Sequence, residues 1–289
     1  MTIPTIAAYE MPTACASERV DWRLDPARSV LLIHDMQDYF LDFYDADLAP
    51  IPSLLAHLQA LVARARQLGI PVVYTAQPAQ QSAEERGLLT DMWGPGLPAR
   101  PEASAIVSCL APAPQDLVLT KWRYSAFVRS ELREKMRQWG RDQLVIGGVY
   151  GHIGVLMSAC DAFMQDIQPF VLADGIADFS AEEHRLALDY VAKRCGRIPT
   201  TDQVLSAWPA ALPESAEALR ALLAQILGIP PEQLGWQDDL LEWGLDSIRV
   251  MGWLGRWQRA GVQLSLAQLA EEPTVAGWWR LLAQEVAHV

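Results

Sequence analysis

Short apolar runs alternate along the first two thirds of the chain with stretches in which apolar residues recur every three or four positions. Five of these runs are almost uninterrupted, a pattern typical of strands that are buried on both faces of a sheet. They occupy residues 30–33, 72–74, 117–119, 144–146 and 170–172. Strands that alternate with helices in this way predict an α/β fold, a parallel sheet with helices on both faces.

Two of the intervening helices have recognisable ends. Residues 54–68 carry apolar side chains at helical spacing, and Gly69 follows them as a stop signal. Ser180, with Glu183 three residues later, matches a capping box for a helix that continues to about Cys195.

The pattern changes between residues 202 and 215, where a proline-containing segment interrupts both periodicities. Beyond it no strand pattern remains, and three short helices are predicted at residues 216–227, 248–260 and 275–286. We therefore expect a large domain, a linker and a small all-α helical bundle, at residues 1–207, 208–214 and 215–289 respectively.

Composition and cysteine spacing limit the class of protein and the cellular compartment that we expect. The 289 residues, of which 51% are hydrophobic, suffice for a large domain with a buried core and a smaller second one. The N-terminus lacks the basic and apolar pattern of a secretion signal, and no apolar run is long enough to span a bilayer, which predicts a cytoplasmic protein. Reduced thiols, rather than a disulfide framework or a zinc site, are expected for the scattered Cys15, Cys109, Cys160 and Cys195.

The formal net charge of −12 repels phosphate backbones, so nucleic acids and anionic membranes are unfavourable partners. An acidic surface still suits a protein partner. The region from residue 213 onward has ten Asp and Glu residues against five Arg, and it contains six of the eleven tryptophans. A domain this small cannot bury all six indoles fully, so we expect some of them at a partner surface.

The residues that follow the predicted strands are the candidates for chemistry, because ligands bind beyond the carboxyl ends of parallel strands. His34 and Asp35 follow the first strand, Gln77 the second, Lys121 the third and residues 147–154 the fourth. An acid and an ammonium group that meet in one crevice perturb each other's protonation and position a proton. A structural ion pair is the alternative for Asp35 and Lys121.

Seven short stretches of the N-terminal region carry a resemblance to a known family. They lie at residues 31–40, 74–78, 91–96, 121–127, 148–154, 161–164 and 173–179. The chain resembles the isochorismatase-like branch of the cysteine hydrolases, and most closely the bifunctional isochorismatase and aryl carrier proteins of catechol siderophore pathways. The resemblance implies hydrolysis of isochorismate to pyruvate and 2,3-dihydroxy-2,3-dihydrobenzoate, and a homodimer formed through the hydrolase domain.

The amidases of this superfamily use a triad of Asp, Lys and Cys, and the resemblance places Asp35, Lys121 and Gly154 at the three catalytic positions. Without a thiol at the third position there is no nucleophile for acyl transfer. Gly154 also leaves room for a ring. Cys160 lies six residues further on in a predicted helix, where we interpret it as a buried small hydrophobe.

An enol ether needs no nucleophilic side chain, because its terminal carbon accepts a proton from a positioned acid. Our hypothesis is that Asp35, kept partly protonated by burial, protonates the methylene carbon of the enolpyruvyl group. Water then adds to the oxocarbenium ion, and the hemiketal collapses to the two products. Lys121 balances the carboxylate that remains and can donate a hydrogen bond to a substrate oxygen.

The two carboxylates of the substrate require hydrogen-bond donors. The resemblance gives this role to Gln77, Arg86, Tyr150 and the backbone at Gly154. A solvated surface position is the alternative for Arg86, which follows two glutamates. Trp93 and Phe40 are candidate walls for the substrate ring, with core packing as the alternative.

No catalytic metal is predicted. Residues 74–78 lack the Asp-x-His element with which some amidases of the superfamily bind a metal. His34 and His152 are not spaced like a ligand set.

Residues 238–251 resemble the attachment site of an acyl or peptidyl carrier domain. Ser247 lies where a loop becomes a helix, so a phosphodiester on its hydroxyl would meet free N–H groups and the positive end of the helix dipole. An ordinary helix N-cap is the alternative. The resemblance implies 4'-phosphopantetheine on Ser247, attached by a phosphopantetheinyl transferase, acylated with 2,3-dihydroxybenzoate by an aryl-acid adenylating ligase, and delivered to a nonribosomal peptide synthetase condensation domain.

The apolar face after Ser247 is the predicted partner-binding surface, in the manner of a helix in a groove. Its members are Ile248, Met251 and Leu254, with Trp253 beside them. Packing in the core of the bundle is the alternative for some of these side chains.

Three functions remain open from the sequence. The first is the bifunctional hydrolase and aryl carrier. The second is an aryl carrier or scaffold with an inactive hydrolase domain, against which the presence of Asp35, Lys121 and Tyr150 argues. The third is a hydrolase for a related enol ether of the phenazine type, against which the fused carrier argues.

Overall fold

The computed structural model describes residues 3–12, 18–208, 212–213, 215–259 and 262–286, apart from the side chains of residues 247–249, 252, 256, 259 and 286. The chain forms two compact units, Met1–Pro209 and Ala210–Val289. None of the helices in the described ranges is both long and apolar enough to cross a membrane.

A parallel sheet forms the centre of the first unit. Its strands are β1 (Ser29–His34), β2 (Val72–Ala76), β3 (Leu117–Thr120), β4 (Gln143–Val149) and β5 (Gln168–Ala177). Their order in space is β3-β2-β1-β4-β5, and all pairings are parallel. Each predicted strand lies within an observed one, so the predicted α/β fold is confirmed.

Helices cover both faces of the sheet. The helices of the first unit are α1 (Asp38–Leu41), α2 (Ile51–Gln67), α3 (Ala83–Arg86), α4 (Leu89–Trp93), α5 (Leu132–Gln138), α6 (Leu156–Met164), α7 (Ala181–Arg194) and α8 (Thr201–Ala207). Short 3-10 turns occupy Leu97–Ala99, Pro101–Ser104 and Ser108–Leu110, and a π-helical turn occupies Gly151–Val155.

Alternate residues of the central strand β1 enter two separate cores, as strand geometry requires. Leu31 and Ile33 pack in the core beneath α2 and α8. Val30 and Leu32 pack in the opposite core, which α5, α6 and α7 complete. Because β1 is buried along its whole length, both cores depend on it.

Two helix ends differ from the prediction. Helix α2 begins at Ile51 rather than at residue 54, because Pro52 is tolerated in a first turn that needs no N–H donor there. At α7 only half of the predicted capping box forms. The Ser180 hydroxyl accepts the Glu183 backbone N–H at 3.2 Å, while the Glu183 carboxylate accepts from that hydroxyl.

Helix α8 was not predicted, and it changes the assignment of Trp208. A capping box of Thr200 and Gln203 starts this helix within the segment that the sequence pattern left irregular. Trp208, expected at the start of the linker, is instead fully buried in the core beneath α2. Its carbonyl accepts a hydrogen bond from Arg64 at 2.6 Å.

The described residues of the second unit form helices joined by turns and loops, without a strand among them. Its helices are α9 (Ala216–Leu227), α10 (Ser247–Arg259), α11 (Leu266–Glu271) and α12 (Val275–Val286), with a 3-10 turn at Pro231–Gln233. The three predicted helices are present. Helix α11, with a capping box of Ser265 and Gln268, was missed because its six residues are too short for a periodic pattern.

The tryptophans of the second unit divide between its core and its surface, as expected. Trp257 and Trp278 are buried, with ring centroids 6.1 Å apart in an edge-to-face arrangement. Trp243 is 39% exposed. Partial exposure is observed at Trp236, Trp253 and Trp279.

Candidate active site

The candidate site lies where the strand order reverses. The chain leaves β1 toward β2 on one side and later returns to β4 on the other, so a crevice opens beyond the ends of β1 and β4. A cleft with about 600 Å³ of empty volume, partly open to solvent, lies there. It is lined by all eight residues that the sequence proposed for this domain: Asp35, Phe40, Gln77, Arg86, Trp93, Lys121, Tyr150 and Gly154.

Asp35 follows β1 directly and has a left-handed backbone conformation, with φ of 49°. A non-glycine residue in this region is strained and is held there by its surroundings. Thr75 on β2 provides two contacts. Its hydroxyl donates to Asp35 Oδ1 at 2.6 Å, and its oxygen accepts the Asp35 backbone N–H at 3.1 Å. The neighbouring strand therefore fixes both the backbone and the carboxyl group of Asp35.

Lys121 reaches Asp35 from the end of β3. Its Nζ donates to Asp35 Oδ2 at 3.1 Å, and both side chains are almost completely buried. Burial lowers the pKa of Lys121 from its ordinary value, and the nearby Asp35 carboxylate opposes this shift. The ammonium proton is therefore held less firmly than in water, at a site that contacts the cleft.

The space beside Gly154 is occupied by a ring of the protein itself. A Cβ atom built on Gly154 would lie only 2.2 Å from Cε1 of the His34 imidazole. The space that glycine was expected to leave open for a ring is therefore already filled by His34, whose Nδ1 lies 2.7 Å from the Val149 carbonyl oxygen. Burial lowers the pKa of His34 to about 4, so the ring is neutral near pH 7.

Aromatic side chains enclose the cleft. Tyr150 packs against Phe40 and Phe179, with ring centroids 5.8 Å and 4.7 Å away. Trp93 lies 6.2 Å from Phe179 and donates its indole N–H to the Tyr124 hydroxyl at 2.7 Å. Phe40 and Trp93 line the cleft and also pack against other rings, so the two interpretations offered for them are compatible.

Tyr150 contributes its ring more than its hydroxyl to the cleft. The hydroxyl donates to the Phe40 carbonyl at 2.7 Å, and burial raises its pKa well above the ordinary value. The phenol is therefore neutral and already has an acceptor. The peptide bond between Val149 and Tyr150 is cis.

Arg86 is buried, which contradicts a position on the solvated surface. Its Nε donates to the Gly94 carbonyl at 2.8 Å and its Nη1 to Gln81 Oε1 at 3.1 Å. Gly96 makes room for the guanidinium, since a Cβ there would lie 2.2 Å from Arg86 Nη2. No carboxylate among the described residues forms a salt bridge with Arg86, and burial lowers its pKa.

Gln77 is positioned by Gln37, a buried residue that the sequence analysis did not single out. Gln37 Oε1 accepts the Gln77 backbone N–H at 2.8 Å, and Gln37 Nε2 donates to the Gln77 carbonyl at 2.9 Å. Both backbone groups of Gln77 are thereby used. Its side chain is the part that remains for a ligand.

Several further residues line the cleft, and the sequence assigned none of them an individual role. They are Ile3, His34, Tyr39, Leu89, Gly96, Arg123, Tyr124, Val149, Ile153 and Phe179. Arg123 adds a second guanidinium, whose Nη1 donates to the carbonyls of Glu85 and Trp122. The run of Lys121, Trp122 and Arg123 after a strand was the available signal for it.

His152 has acidic neighbours that sequence spacing did not reveal. Its Nδ1 lies 2.5 Å from Asp178 Oδ1, its backbone N–H donates to Asp178 Oδ2, and its Nε2 lies 3.9 Å from Glu183. Burial opposes the charged ring, but the hydrogen bond and charge of Asp178 raise the pKa of His152 overall. Ligand atoms of the three side chains lie within 4.8 Å of one another. We interpret Asp178 as a buried carboxylate that fixes the turn beside Gly154 through its hydrogen bonds to His152.

The second unit presents the candidate attachment site at the start of α10. The helix begins at Ser247, and the Asp246 carbonyl accepts the Val250 N–H at 3.1 Å, which puts Asp246 at the N-cap position. Leu245 is buried, whereas residues 241–244 and 246 are exposed. The backbone thus fits an exposed phosphodiester next to N–H groups without helical acceptors. The side chains of Ser247 and Ile248 lie outside the described part.

The predicted partner-binding face of α10 divides between surface and core. Met251 is 53% exposed, as a docking residue would be. Leu254 is buried in the core of the unit, so its assignment to the surface is wrong. Periodicity alone cannot make this distinction, because both residues lie on apolar turns of the same helix.

Comparison with known proteins agrees with this architecture. The isochorismatase domain family matches residues 29–203, and the phosphopantetheine attachment site family matches residues 217–282. The chain therefore belongs to the isochorismatase family. It combines a hydrolase domain of the isochorismatase type with a carrier domain that takes covalent phosphopantetheine.

Three relatives show how the two parts combine. The chain is 47% identical to an isochorismatase of Bacillus subtilis over 98% of this chain and 96% of that protein. It is 46% identical to enterobactin synthase component B of Escherichia coli K12, over 99% of this chain and 100% of that protein. It is 52% identical to the phenazine biosynthesis protein PhzD1 of Pseudomonas aeruginosa, over 70% of this chain and 98% of that protein.

Gly154→Ala is expected to destabilise the first unit by about 1–3 kcal/mol, because the new methyl group displaces the His34 ring from a packed site. In a His34→Ala background the same change should cost much less, since the clashing ring is absent. Urea unfolding of wild type, the two single variants and the double variant measures the coupling free energy between the two positions. Equal costs in both backgrounds would show that the two positions are independent.

His34 also predicts a pH dependence of stability. Its pKa is about 4 in the folded protein, below the ordinary 6.5, so the unfolded chain binds its proton first as the pH falls. The contribution of neutral His34 to the free energy of unfolding is therefore complete above pH 6.5 and decreases as the pH falls toward 4. When the pH is lowered from 8 to 5.5, the free energy of unfolding should fall by about 1–2 kcal/mol more in wild type than in His34→Gln, as measured by urea unfolding. Parallel losses in both proteins would contradict a neutral His34.

Proposed function

We propose that residues 1–207, extended to include Trp208, hydrolyse isochorismate to pyruvate and 2,3-dihydroxy-2,3-dihydrobenzoate, and that residues 215–289 carry 2,3-dihydroxybenzoate as a thioester. The observation that carries the proposal is the buried ion pair of Asp35 and Lys121 in a cleft whose third superfamily position is Gly154. An acid is present there, and a nucleophile is not.

The acid form of Asp35 donates its proton to the methylene carbon of the enol ether. Thr75 and Lys121 hold the carboxyl group at two different oxygens, so its orientation is fixed before substrate binds. The water that adds to the oxocarbenium carbon releases one proton, and the Asp35 carboxylate takes it up again for the next turnover. When Asp35 becomes a carboxylate, the adjacent ammonium group stabilises it.

Water then adds to the oxocarbenium carbon, and the bond from that carbon to the ring oxygen breaks as the hemiketal collapses. The ring oxygen leaves as a hydroxyl, and the three-carbon fragment leaves as pyruvate. Atoms and charge balance without a covalent enzyme intermediate. Cys160 on α6 is absent from the residues that line the cleft, so it does not replace the missing thiol.

The guanidinium of Arg86 is suited to one substrate carboxylate. A buried cation without a described salt-bridge partner gains a counter-ion when an anion enters the cleft. Arg123 and the Gln77 side chain line the same cleft and can serve the second carboxylate. Phe40, Trp93 and Tyr150 would enclose the ring.

The carrier function rests on the position of Ser247. Phosphopantetheine on this residue supplies a thiol that is acylated by an aryl-acid adenylating ligase. The partners implied are a phosphopantetheinyl transferase, the ligase and a nonribosomal peptide synthetase condensation domain, with Met251 on the docking surface. The full-length likeness to enterobactin synthase component B supports siderophore biosynthesis as the setting. A homodimer formed through the hydrolase domain is part of the proposal.

A related enol ether is the second candidate substrate. The 52% identity to a phenazine biosynthesis protein favours it, but that relative matches only 70% of this chain. A pathway without a tethered aryl acid has no use for the second unit. Pyruvate release from isochorismate and from its amino analogue, measured side by side, distinguishes the two. An aryl carrier with an inactive hydrolase domain would release pyruvate from neither.

Asp35→Asn should reduce pyruvate release by about 10²–10⁴-fold, because the amide cannot donate the proton, while isochorismate still binds. Stopped assays for pyruvate and fluorescence titration through Trp93 measure the two effects separately. Asp38→Asn is the matched control, since Asp38 lies three residues away and does not line the cleft. Near-normal turnover in Asp35→Asn would remove Asp35 from the acid role.

Ser247→Ala should abolish the mass gain of one phosphopantetheine that wild type shows after incubation with coenzyme A and a promiscuous phosphopantetheinyl transferase. Pyruvate release should be unchanged, because the described residues that line the cleft all belong to the first unit. Intact-mass spectrometry reads the modification. A mass gain that persists in the variant would place the attachment at another residue.

A further inference from the structure

Two cysteines that are far apart in sequence meet at the edge of the core that α6 and α7 share. Cys160 lies within α6, and Cys195 follows the last residue of α7. Their Sγ atoms are 4.0 Å apart, although 35 positions separate them in the chain. The sulfur atoms are thus in contact but not bonded, and both cysteines are thiols.

The backbone on both sides of this contact is held in place. The Cys195 N–H donates to the Val191 carbonyl at 3.0 Å, and Arg197 pairs with β5 through Pro169 and Phe170. A Cβ on Gly196 would lie 2.5 Å from the Pro169 carbonyl oxygen, so this turn has little freedom. Cys160 belongs to a helix that packs against β5 and α7. The two thiols are therefore presented to each other at a high effective concentration.

The two thiols lie in different environments, and this difference makes Cys160 the thiol that reacts first. Cys160 is partly exposed, whereas Cys195 is buried in the core that α6 and α7 share. The hydrogen bond from Cys195 lowers the pKa of Cys160, so more of this thiol is ionised near neutral pH than of an ordinary cysteine. The same hydrogen bond, together with burial, raises the pKa of Cys195.

We propose that Cys160 and Cys195 are a modification site, a dithiol that a hydroperoxide oxidises to an intramolecular disulfide. The Cys160 thiolate attacks one peroxide oxygen, so an S–O bond forms as the O–O bond breaks. The leaving oxygen takes a proton and departs as water or an alcohol, which leaves a sulfenic acid on Cys160.

The thiol of Cys195 then attacks the sulfenic sulfur. An S–S bond forms, the S–O bond breaks, and the hydroxide leaves as water with the proton that Cys195 gives up. In total two thiols lose two electrons and two protons, and one peroxide is reduced. A dithiol reductant reverses the reaction.

The disulfide would join the middle of α6 to the end of α7. Helix α6 begins directly after the turn Gly151–Val155, which contains Gly154 of the cleft. Closing a loop of this length restricts the unfolded chain, so oxidation should raise the thermal midpoint of the first unit by about 5–10 °C. The modification therefore has a readout that does not depend on the hydrolase reaction or on the carrier.

The experiment treats the reduced full-length chain with a small excess of hydrogen peroxide and then alkylates it in denaturant. Reduced protein takes up four alkyl groups, and the oxidised protein should take up two. Tryptic digestion without reductant should join the peptide of residues 142–185, which contains Cys160, to the peptide of residues 195–197. The rate of oxidation should rise with pH, with a midpoint below the ordinary pKa of a cysteine thiol, because only the thiolate attacks.

Matched variants separate this site from the other cysteines. Cys109→Ser should retain the disulfide, since Cys109 is an exposed thiol elsewhere in the fold. Cys160→Ser and Cys195→Ser should both abolish the joined peptides and the rise in thermal midpoint. In Cys195→Ser the reaction should stop at a sulfenic acid on Cys160, which dimedone traps.

Uptake of four alkyl groups after peroxide treatment would overturn the proposal, as would joined peptides that contain Cys15 or Cys109, or a crosslink between two chains on a non-reducing gel. A joined pair without any change in thermal midpoint would overturn the stabilising role of the disulfide.

Discussion

The hydrolase unit depends on one buried contact, the ion pair of Asp35 and Lys121. Two opposite charges that are both withdrawn from water must be held in good geometry, or their desolvation outweighs their attraction. Three adjacent strands provide that geometry. Asp35 follows the last residue of β1, β2 contributes the Thr75 hydroxyl to the carboxyl group, and Lys121 comes from the end of β3 to its other oxygen. The order of the strands is therefore a requirement of the chemistry as well as of the fold.

Much of this arrangement could be predicted from the sequence. Uninterrupted apolar runs identified all five strands, including β3, which lies at the edge of the sheet and leaves Val118 49% exposed. The rule that ligands bind beyond the ends of parallel strands predicts that Asp35 and Lys121 lie in one crevice. Short elements, such as α11 and the α3 and α4 turns beside the cleft, have too few residues for a periodic signal.

Other features depend on contacts between distant residues, which local patterns do not encode. The His34 ring fills the space beside Gly154 because β1 and the turn after β4 converge, and no spacing rule connects residues 34 and 154. Arg86 follows two glutamates like a surface residue, yet Gly96 provides the room in which it is buried. On α10, Met251 and Leu254 lie one turn apart on an apolar stripe, and only packing shows which of them faces the core.

The burial of Trp208 bears on how this protein was assembled from its parts. The indole closes the core beneath α2, five residues beyond the last position matched by the hydrolase family. The phenazine relative, which aligns over 210 residues and almost its entire length, has no counterpart of the carrier domain. The hydrolase fold thus completes its own hydrophobic core before the second unit begins. A carrier domain that is joined after Trp208 does not have to fill any part of the hydrolase core. Gaining or losing that domain therefore changes the connectivity of the chain, and the side chains of the hydrolase core do not have to repack.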